Sequence, residues 1–381
     1  MDAKLPPLSL YVHVPWCIRK CPYCDFNSHQ VRDEIPESLY LDRLISELKN
    51  EQHLTSGRPI HSIFIGGGTP SLLKPESYAR LLEAVKSNYS LEPDAEITME
   101  ANPGTFEQEK FEGFADAGIN RLSIGVQSFD DDRLRALGRI HTGGEAIKAI
   151  QSATKLFQRT NIDLMHGLPG QTPDAALNDL EQAIAFEPDQ ISWYQLTIEP
   201  NTEFAAKPPS LPIEESLWTI QEQGSELLKR HGYEQYEISA FARPGGESKH
   251  NLNYWQFGDY LGIGAGAHAK ISRWEQGQLL IERIHKQRQP KTYINAIDPV
   301  AGREIIESEA LPFEFMLNAL RLKSGVATEL FEQSTGCSIE RIEPLLSKAR
   351  QRGMLIEDPA RIAPTQEGQL FLNDLLEMFI D

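Results

Sequence analysis

The sequence predicts an α/β fold whose main part is a partial TIM-type barrel of six β-α units, open on one side. Two observations predict it. Strand-length apolar runs alternate with segments of helical periodicity, and every candidate strand ends in polar or glycine-rich residues. Such strand ends are typical of a barrel mouth. A small α/β extension and a mainly helical, winged-helix-like C-terminal domain are predicted to follow.

The predicted core strands cover residues 8–14, 62–65, 96–100, 121–126, 161–165 and 190–196. Between them, apolar residues recur every three or four positions, as they do on the buried face of a helix. A clear example is the set Leu41, Leu44, Ile45 and Leu48. This alternation implies parallel strands joined by crossover helices. Periodicity alone does not separate an open sheet from a barrel, and it is the strand ends that favour the barrel.

Three cysteines, Cys17, Cys21 and Cys24, follow the first strand in the segment WCIRKCPYCDF. Their C-x3-C-x2-C spacing suits a 4Fe-4S cluster with three protein ligands, which leaves one iron open to an exchangeable group. A zinc site completed by His13 or His29 is an alternative. A disulfide is disfavoured because the first residues do not resemble a signal peptide.

Composition narrows the class of protein. The 381 residues include 37 Lys and Arg against 55 Asp and Glu, which gives a net charge of -18. This balance disfavours nucleic acid or an anionic membrane as the main partner. No apolar run reaches the length of a membrane span, so we expect a cytoplasmic protein. The remaining cysteine, Cys337, is expected to be a small buried apolar residue.

The motifs YVHVPWCIRKCPYCDF, IGGGTPS, EANP, GVQSF and DLMHGLPGQT, in this order, resemble those of the radical S-adenosylmethionine superfamily. Within it they are similar to the group around oxygen-independent coproporphyrinogen oxidase. The resemblance covers about the first 240 residues. It implies a cluster whose open iron receives the amino and carboxylate groups of S-adenosylmethionine. When reduced, such a cluster can donate an electron to the sulfonium and release a deoxyadenosyl radical.

The resemblance also implies which residues contact S-adenosylmethionine. Gly67, Gly68 and Thr69 would contact its methionine part, and Glu100 and Gln127 would contact its polar groups. Arg139 would bind its carboxylate and Asp163 its ribose. Tyr11 and the backbone around Tyr23 would pack beside the cluster and the adenine. The charged residues also have structural interpretations. Glu100 and Asp163 could cap helices, and Arg139 could be a surface cation.

The chain departs from the oxidases in two respects. They carry a further cysteine two residues after the third, where this chain has Phe26. They also carry a longer N-terminal extension that helps to bind the tetrapyrrole, whereas the first strand here begins at Leu8. Both departures indicate similarity to the heme chaperone family called HemW.

A second motif supports the same family. The segment HNLNYW matches the HNxxYW pattern of the heme chaperones. An imidazole can be an axial ligand of heme iron, which makes His250 the predicted ligand, and Tyr254 and Trp255 offer flat apolar area to a porphyrin. Without the resemblance, a histidine beside aromatic residues is more often structural. His268, in GAGAH, is a second candidate ligand.

We expect three domains. Residues 1–240 form the radical S-adenosylmethionine core, residues 241–300 an extension with the HNxxYW heme motif and a β-hairpin near 275–278, and residues 301–381 the helical C-terminal domain. The sequence pattern predicts a two-stranded wing over residues 354–364, followed by a final helix over residues 366–379. Acidic stretches in this last part favour protein contact or packing over DNA binding.

The leading hypothesis is a heme chaperone that carries a 4Fe-4S cluster with S-adenosylmethionine at its open iron and passes heme to an acceptor protein. Respiratory proteins are among the candidate acceptors, and contact with membrane proteins is compatible with a chain that has no membrane span. The alternative is an oxygen-independent coproporphyrinogen III oxidase, a radical oxidative decarboxylase. A third option is a radical enzyme that acts on another substrate. The sequence does not predict the oligomeric state.

Overall fold

The structure, a computed structural model, describes residues 4–104 and 108–380. Most of its strands belong to one sheet. The strands are β1 (Leu8–Val14), β2 (Trp16–Cys17), β3 (His29–Gln30), β4 (Ile60–Gly67), β5 (Leu91–Ala101), β6 (Arg121–Gln127), β7 (Arg159–His166), β8 (Gln190–Gln195), β9 (Glu234–Glu237), β10 (Ala240–Ala242), β11 (Asp259–Ile263), β12 (His268–Glu275), β13 (Gln278–Lys286), β14 (Val300–Ile305), β15 (Val326–Ala327) and β16 (Arg361–Ile362).

The α-helices connect these strands and build the C-terminal part. They are α1 (Glu37–Glu51), α2 (Pro75–Asn88), α3 (Phe111–Asp116), α4 (Asp131–Ala136), α5 (Gly143–Leu156), α6 (Pro173–Ile184), α7 (Glu203–Ala206), α8 (Glu214–Arg230), α9 (Lys249–Trp255), α10 (Pro290–Asn295), α11 (Leu311–Ala319), α12 (Glu329–Thr335), α13 (Glu343–Gln351), α14 (Gln366–Leu370) and α15 (Leu372–Glu377).

All six predicted core strands are present, as β1 and β4 to β8, and they pair in parallel. The full sheet has the order β14-β13-β12-β11-β1-β4-β5-β6-β7-β8-β10-β9. Beyond the six-strand core, β1 pairs with β11 and β8 pairs with β10. The core therefore ends in two extensions instead of closing on itself, which confirms the predicted partial barrel.

Successive side chains of β1 point to opposite faces of the barrel wall. Leu10 and Val12 belong to the same apolar cluster as Tyr40 and Leu44 of α1, so this face of the strand packs against the outer helices. Tyr11, between them, points to the opposite face, because successive side chains of a strand alternate. Each fully buried leucine or valine contributes roughly 2 kcal/mol to folding.

The extension after the core is mostly antiparallel. Strand β11 runs parallel to β1, and β12, β13 and β14 follow as antiparallel neighbours. The predicted hairpin is confirmed, because Glu275 pairs with Gln278 across a two-residue turn. Gln276 and Gly277 have φ values of 50° and 83°, the left-handed geometry that such tight hairpins require.

The C-terminal part has its own apolar core, which includes Phe315, Phe331, Leu346 and Leu375. Its helical character is as predicted. The predicted wing is present in a short form, because Leu355 bridges Pro364 and the Ile356 amide donates to the Ala363 carbonyl at 3.0 Å. Residues 361–362 pair with β15, which the sequence did not predict. The final helix is interrupted at Phe371, which separates α14 from α15.

Candidate cofactor site at the barrel mouth

The cysteine loop leaves the carboxyl end of β1. Cys17 ends the short strand β2, and the amide of Cys24 donates to the carbonyl of Cys21 at 3.1 Å, which closes a turn between the last two thiols. All three cysteines are partly exposed. Local turn geometry therefore gathers the three thiols at the barrel mouth.

The surroundings of the thiols are partly cationic. Nη1 of Arg139 lies 3.8 Å from Sγ of Cys21, and Nζ of Lys20 donates to the carbonyl of Phe26 within the loop. Burial raises the pKa of Cys17 and of Cys24, so in the free chain these thiols hold their protons. Binding of iron requires the thiolate form and releases those protons.

The loop offers the donors that an iron-sulfur cluster requires, namely three thiols. Cys337 packs against the C-terminal core and is half-buried, less buried than expected. Among residues 4–104 and 108–380, no three or more His, Cys, Asp or Glu side chains converge closely enough to hold a metal ion. A cube of four irons takes each thiolate on a different corner, so it spreads its ligands more widely than a single ion does. The donor set thus fits a cluster.

His13 is already engaged within the protein. Its Nε2 donates to the carbonyl of Asn27 at 2.8 Å, so its Nδ1 is the acceptor for the hydroxyl of Tyr11 at 3.0 Å. Burial lowers its pKa, which keeps the ring neutral. With both nitrogens occupied, His13 cannot complete a zinc site with the cysteines, and that use of His13 is ruled out in this conformation.

The glycine-rich end of β4 lies against the cysteine loop. A Cβ on Gly67, where φ is 112°, would lie 2.5 Å from the His13 ring, and a Cβ on Gly68 would lie 2.5 Å from the Trp16 carbonyl oxygen. The amide of Thr69 donates to that same carbonyl at 2.7 Å. Only glycine permits so close a backbone approach. These residues therefore hold the cysteine loop against β4.

Two half-buried carboxyls lie inside the barrel below the loop. Oε2 of Glu100 accepts the amide of Gly67 at 3.1 Å, while Asp163 accepts from Ser123 at 2.9 Å and from Asn161 at 2.7 Å. Burial and the nearby Asp163 raise the pKa of Glu100 to about 8. Burial also raises the pKa of Asp163. Neither carboxyl caps a helix.

Arg139 is held by the strand ends. Its Nη2 donates to Oδ1 of Asn102 at 2.6 Å and to the carbonyl of Gly125 at 2.7 Å, and the amide of Asn102 donates to the Thr69 hydroxyl at 3.0 Å. The guanidinium thus links the ends of β5 and β6 to the cysteine loop. It is not a surface cation.

Gln127 and Tyr23 complete the mouth. Gln127 has a φ of 69°, rare for a residue with a side chain, and its Oε1 accepts the hydroxyl of Tyr194 at 2.9 Å. The ring of Tyr23 lies 6.4 Å from that of Phe204. Sequence reasoning did not single out Asn102 and Tyr194 as site residues. Their positions in EANPG and at the end of β8 were the available signals.

Tyr11 lies deeper inside the barrel than the other predicted contacts. Its ring stacks on Phe64 at 6.3 Å and lies 6.4 Å from the His250 ring, while its hydroxyl bonds His13 above it. Burial, together with Glu100, raises the pKa of Tyr11, so its hydroxyl stays protonated. Tyr11 therefore connects the mouth of the barrel to His250 of the HNLNYW motif, which lies at the opposite end of the barrel.

The HNLNYW segment forms α9 at the end of the barrel opposite to the mouth. The Ser248 hydroxyl and the amide of His250 both lie within hydrogen-bond distance, 3.4 Å, of Oε1 of Glu96, near the start of the paired part of β5. The His250 ring stacks on Phe64 at 5.1 Å. The helix therefore closes the base of the barrel, and the structure does not bring His250 together with the cysteine loop.

Both nitrogens of His250 have partners. Nδ1 lies 3.1 Å from the Ser62 hydroxyl and Nε2 lies 3.1 Å from the hydroxyl of Tyr254. The ring is 1% exposed, and burial lowers its pKa to about 3. The guanidinium of Arg321 covers the face of Trp255 at 4.2 Å. Heme ligation by this motif would need α9 to move, and it stays a prediction.

Comparison with known proteins identifies the family. A family model described as the Radical SAM superfamily matches residues 11–183, and one described as the HemN C-terminal domain matches residues 306–371. Proteins named heme chaperone HemW from Haemophilus influenzae and Escherichia coli are each 49% identical to this chain, over 99% of it and 99% of the relative. The chain belongs to the HemW family.

The fold is shared beyond the HemW family. The solved coproporphyrinogen III oxidase HemN of Escherichia coli, described as a radical SAM enzyme, matches with a TM-score of 0.82 and 25% identity, over 99% of this chain and 90% of that chain. This likeness confirms the predicted fold class, including the helical C-terminal part. In the described ranges of this HemW family member, none of the helices is long and apolar enough to span a membrane.

Proposed function

We propose that this chain is a heme chaperone, which binds heme and passes it to an acceptor protein. Its relatives named heme chaperone HemW, alike over nearly their whole length, support this function most strongly. Phe26 supports it as well. This residue, 59% exposed, stands where the sequence analysis places a further cysteine in the oxidases.

In this proposal the cysteine loop holds a 4Fe-4S cluster through Cys17, Cys21 and Cys24. The glycine-rich end of β4 would hold S-adenosylmethionine at the open iron, with Arg139 binding its carboxylate and Asp163 its ribose. When bound, the reduced cluster can supply an electron to the sulfonium. Glu100 holds a proton at neutral pH in the free chain, and a nearby positive charge would favour its ionised form.

The residues at the mouth also position one another. The Asn102 amide holds the Thr69 hydroxyl, and the Arg139 guanidinium holds Asn102. Because the guanidinium already donates to two protein oxygens, its direction is set before any ligand arrives. The site therefore offers the cofactor a fixed cation beside the thiols.

Anaerobic reconstitution tests the cluster. The wild-type chain should take up about four irons, while the triple variant Cys17→Ala, Cys21→Ala, Cys24→Ala should take up none. The matched control is Cys337→Ala, which should load like the wild type. Full iron loading of the triple variant would reject these ligands.

Heme titration and transfer test the chaperone function. The wild type should bind heme saturably and lose it to an acceptor in a screen of apo-hemoproteins. A spectrum and stoichiometry unchanged in His250→Ala would reject His250 as the ligand. Absence of saturable heme binding in the wild type would reject the chaperone.

The oxidase is the second candidate, because the solved enzyme HemN shares the fold at a TM-score of 0.82. Incubation of the reconstituted chain with coproporphyrinogen, reductant and S-adenosylmethionine separates the two functions. We expect no decarboxylation. Formation of protoporphyrinogen would favour the oxidase.

A further inference from the structure

Two exposed histidines lie side by side near the barrel mouth. His268 begins β12 and His285 lies near the end of β13, and the two residues are directly paired in the sheet. Their ring centroids are 5.8 Å apart and the rings are nearly parallel, at 26°. Unlike His13 and His250, both side chains are open to solvent.

Strand register places this pair on the inner face of the sheet. Ser9 is paired with Tyr260, and Tyr260 with Lys270, which lies two residues after His268 on the same face of β12. Directly paired residues of neighbouring strands point to the same side. The pair therefore continues the face that carries Ser9 and Tyr11 in the barrel.

The cysteine loop reaches the strands that carry the pair. The side-chain amide of Asn27, three residues after Cys24, donates to the carbonyls of Ala265 and Arg288 at 2.9 and 3.0 Å. These residues lie three positions before His268 and three positions after His285. The two imidazoles thus lie next to the proposed cluster, at the same end of the sheet.

The strands that carry the pair are firmly anchored. Lys286, next to His285, is completely buried and its Nζ lies 2.7 Å from Oε1 of Glu47 on α1. The ring of His285 lies over Gly302 of β14, where a Cβ would come within 2.3 Å of it. A glycine there leaves room for the ring, so the His285 imidazole lies between Gly302 and the ring of His268.

Local charge favours an anionic ligand, although the whole chain has a charge of -18. Arg283 lies two residues before His285 on the same face of β13 and is ion-paired with Glu314 of α11, while Arg288 is exposed just beyond the strand. Burial, His285 and these two guanidinium groups lower the pKa of His268. Its ring is therefore neutral at physiological pH, the form that has a lone pair for a metal.

We propose that His268 is the axial ligand of heme iron, with His285 stacked beside it and Arg288 facing a porphyrin carboxylate. This inference rests on the proposed heme chaperone function and names the place where heme binds. Imidazole is a common axial ligand of heme, and guanidinium groups pair well with carboxylates. Heme bound there would lie beside the cysteine loop, on a face open to an acceptor protein.

Heme titration of the full-length chain, followed by its absorption spectrum and electron paramagnetic resonance, tests this site. We expect His268→Ala to weaken heme binding by about tenfold or more and to change the axial-ligand signature. His285→Ala should weaken it by about threefold, because His285 only positions the ligand. The matched control is His231→Ala, an exposed histidine at the end of α8, which should bind heme like the wild type.

The carboxylate contact has a test of its own. The variant Arg288→Ala should bind heme about threefold more weakly, yet bind heme dimethyl ester like the wild type. Equal losses for both porphyrins would overturn the assignment of Arg288.

The outcomes separate this site from the proposed function. If the wild type binds heme saturably and the double variant His268→Ala, His285→Ala keeps its affinity and spectrum, the inference is overturned and the chaperone function stands. Loss of the ligand signature in His250→Ala, with the affinity and spectrum of His268→Ala unchanged, would assign the ligand to α9 instead. If the wild type does not bind heme, both proposals fail.

Discussion

Nε2 of His250 lies 3.1 Å from the hydroxyl of Tyr254, one turn later on the same helix. Together with the Ser62 hydroxyl at Nδ1, this contact uses both ring nitrogens inside the base of the barrel. His250, the heme ligand predicted from the sequence, is thus also a buried structural residue in this conformation. Its structural and ligand roles can be measured separately.

Replacement of His250 should destabilise the free protein. His250→Ala removes two buried hydrogen bonds and the stacking on Phe64, so the free energy of unfolding should fall by about 2–4 kcal/mol. Urea unfolding of the protein without heme measures this change. The exposed control His231→Ala should stay within about 0.5 kcal/mol of the wild type. Equal midpoints for both variants would show that α9 does not depend on this ring.

The pH dependence of stability should reveal Glu100. Its pKa is about 8 in the fold, well above the ordinary value of 4.5, so the folded chain holds a proton that the unfolded chain releases. Stability from this group is therefore complete below about pH 4.5 and is lost as the pH rises through about 8. Glu100→Gln cannot ionise, so the variant should gain stability over the wild type between pH 5 and pH 9.

Urea unfolding of the cofactor-free protein at several pH values checks this expectation. At about 1.4 kcal/mol for each pKa unit, the difference should reach a few kcal/mol. The control is Glu222→Gln on the exposed side of α8. A difference between wild type and Glu100→Gln that is constant with pH would contradict the raised pKa.

Arg139 should contribute to cofactor binding through its planar geometry. Arg139→Lys keeps the charge but cannot place one nitrogen on Asn102 and Gly125 and a second one beside Cys21, so S-adenosylmethionine should bind the reconstituted protein about tenfold more weakly. Anaerobic calorimetry measures this affinity. Arg135→Lys, on the exposed face of α4, is the matched control. Equal affinities of the two variants would remove Arg139 from the site.

The close approach at Gly68 should be intolerant of a methyl group. A Cβ there would meet the backbone carbonyl of Trp16, which cannot turn aside as a flexible side chain can, so Gly68→Ala should cost about 1–3 kcal/mol of stability. It should also lower iron loading, because Trp16 directly precedes Cys17. Gly144→Ala on α5, where the nearest atom is 3.9 Å away, should be neutral or stabilising. Thermal unfolding and iron analysis compare the two variants.

Local sequence features predicted the core of the fold. The six core strands were predicted because a buried parallel strand is a continuous apolar run, and the hairpin because a two-residue turn at Gln276 and Gly277 is a local property. The wing was predicted from the same kind of local pattern, and Leu355 does bridge Pro364. The pairing of residues 361–362 with Val326–Ala327 was not predicted, because such a distant partner leaves no local pattern.

The sequence by itself determined the family, the partial barrel and the grouping of Cys17, Cys21 and Cys24 in one loop, because motif order, apolar periodicity and close spacing involve neighbours along the chain. Only the tertiary structure decided which end of the barrel each motif reaches. The pairing of β11 with β1 joins segments about 250 residues apart, and it places His250 at the closed base and His268 beside the cysteine loop. Strand order and register depend on packing across the whole sheet.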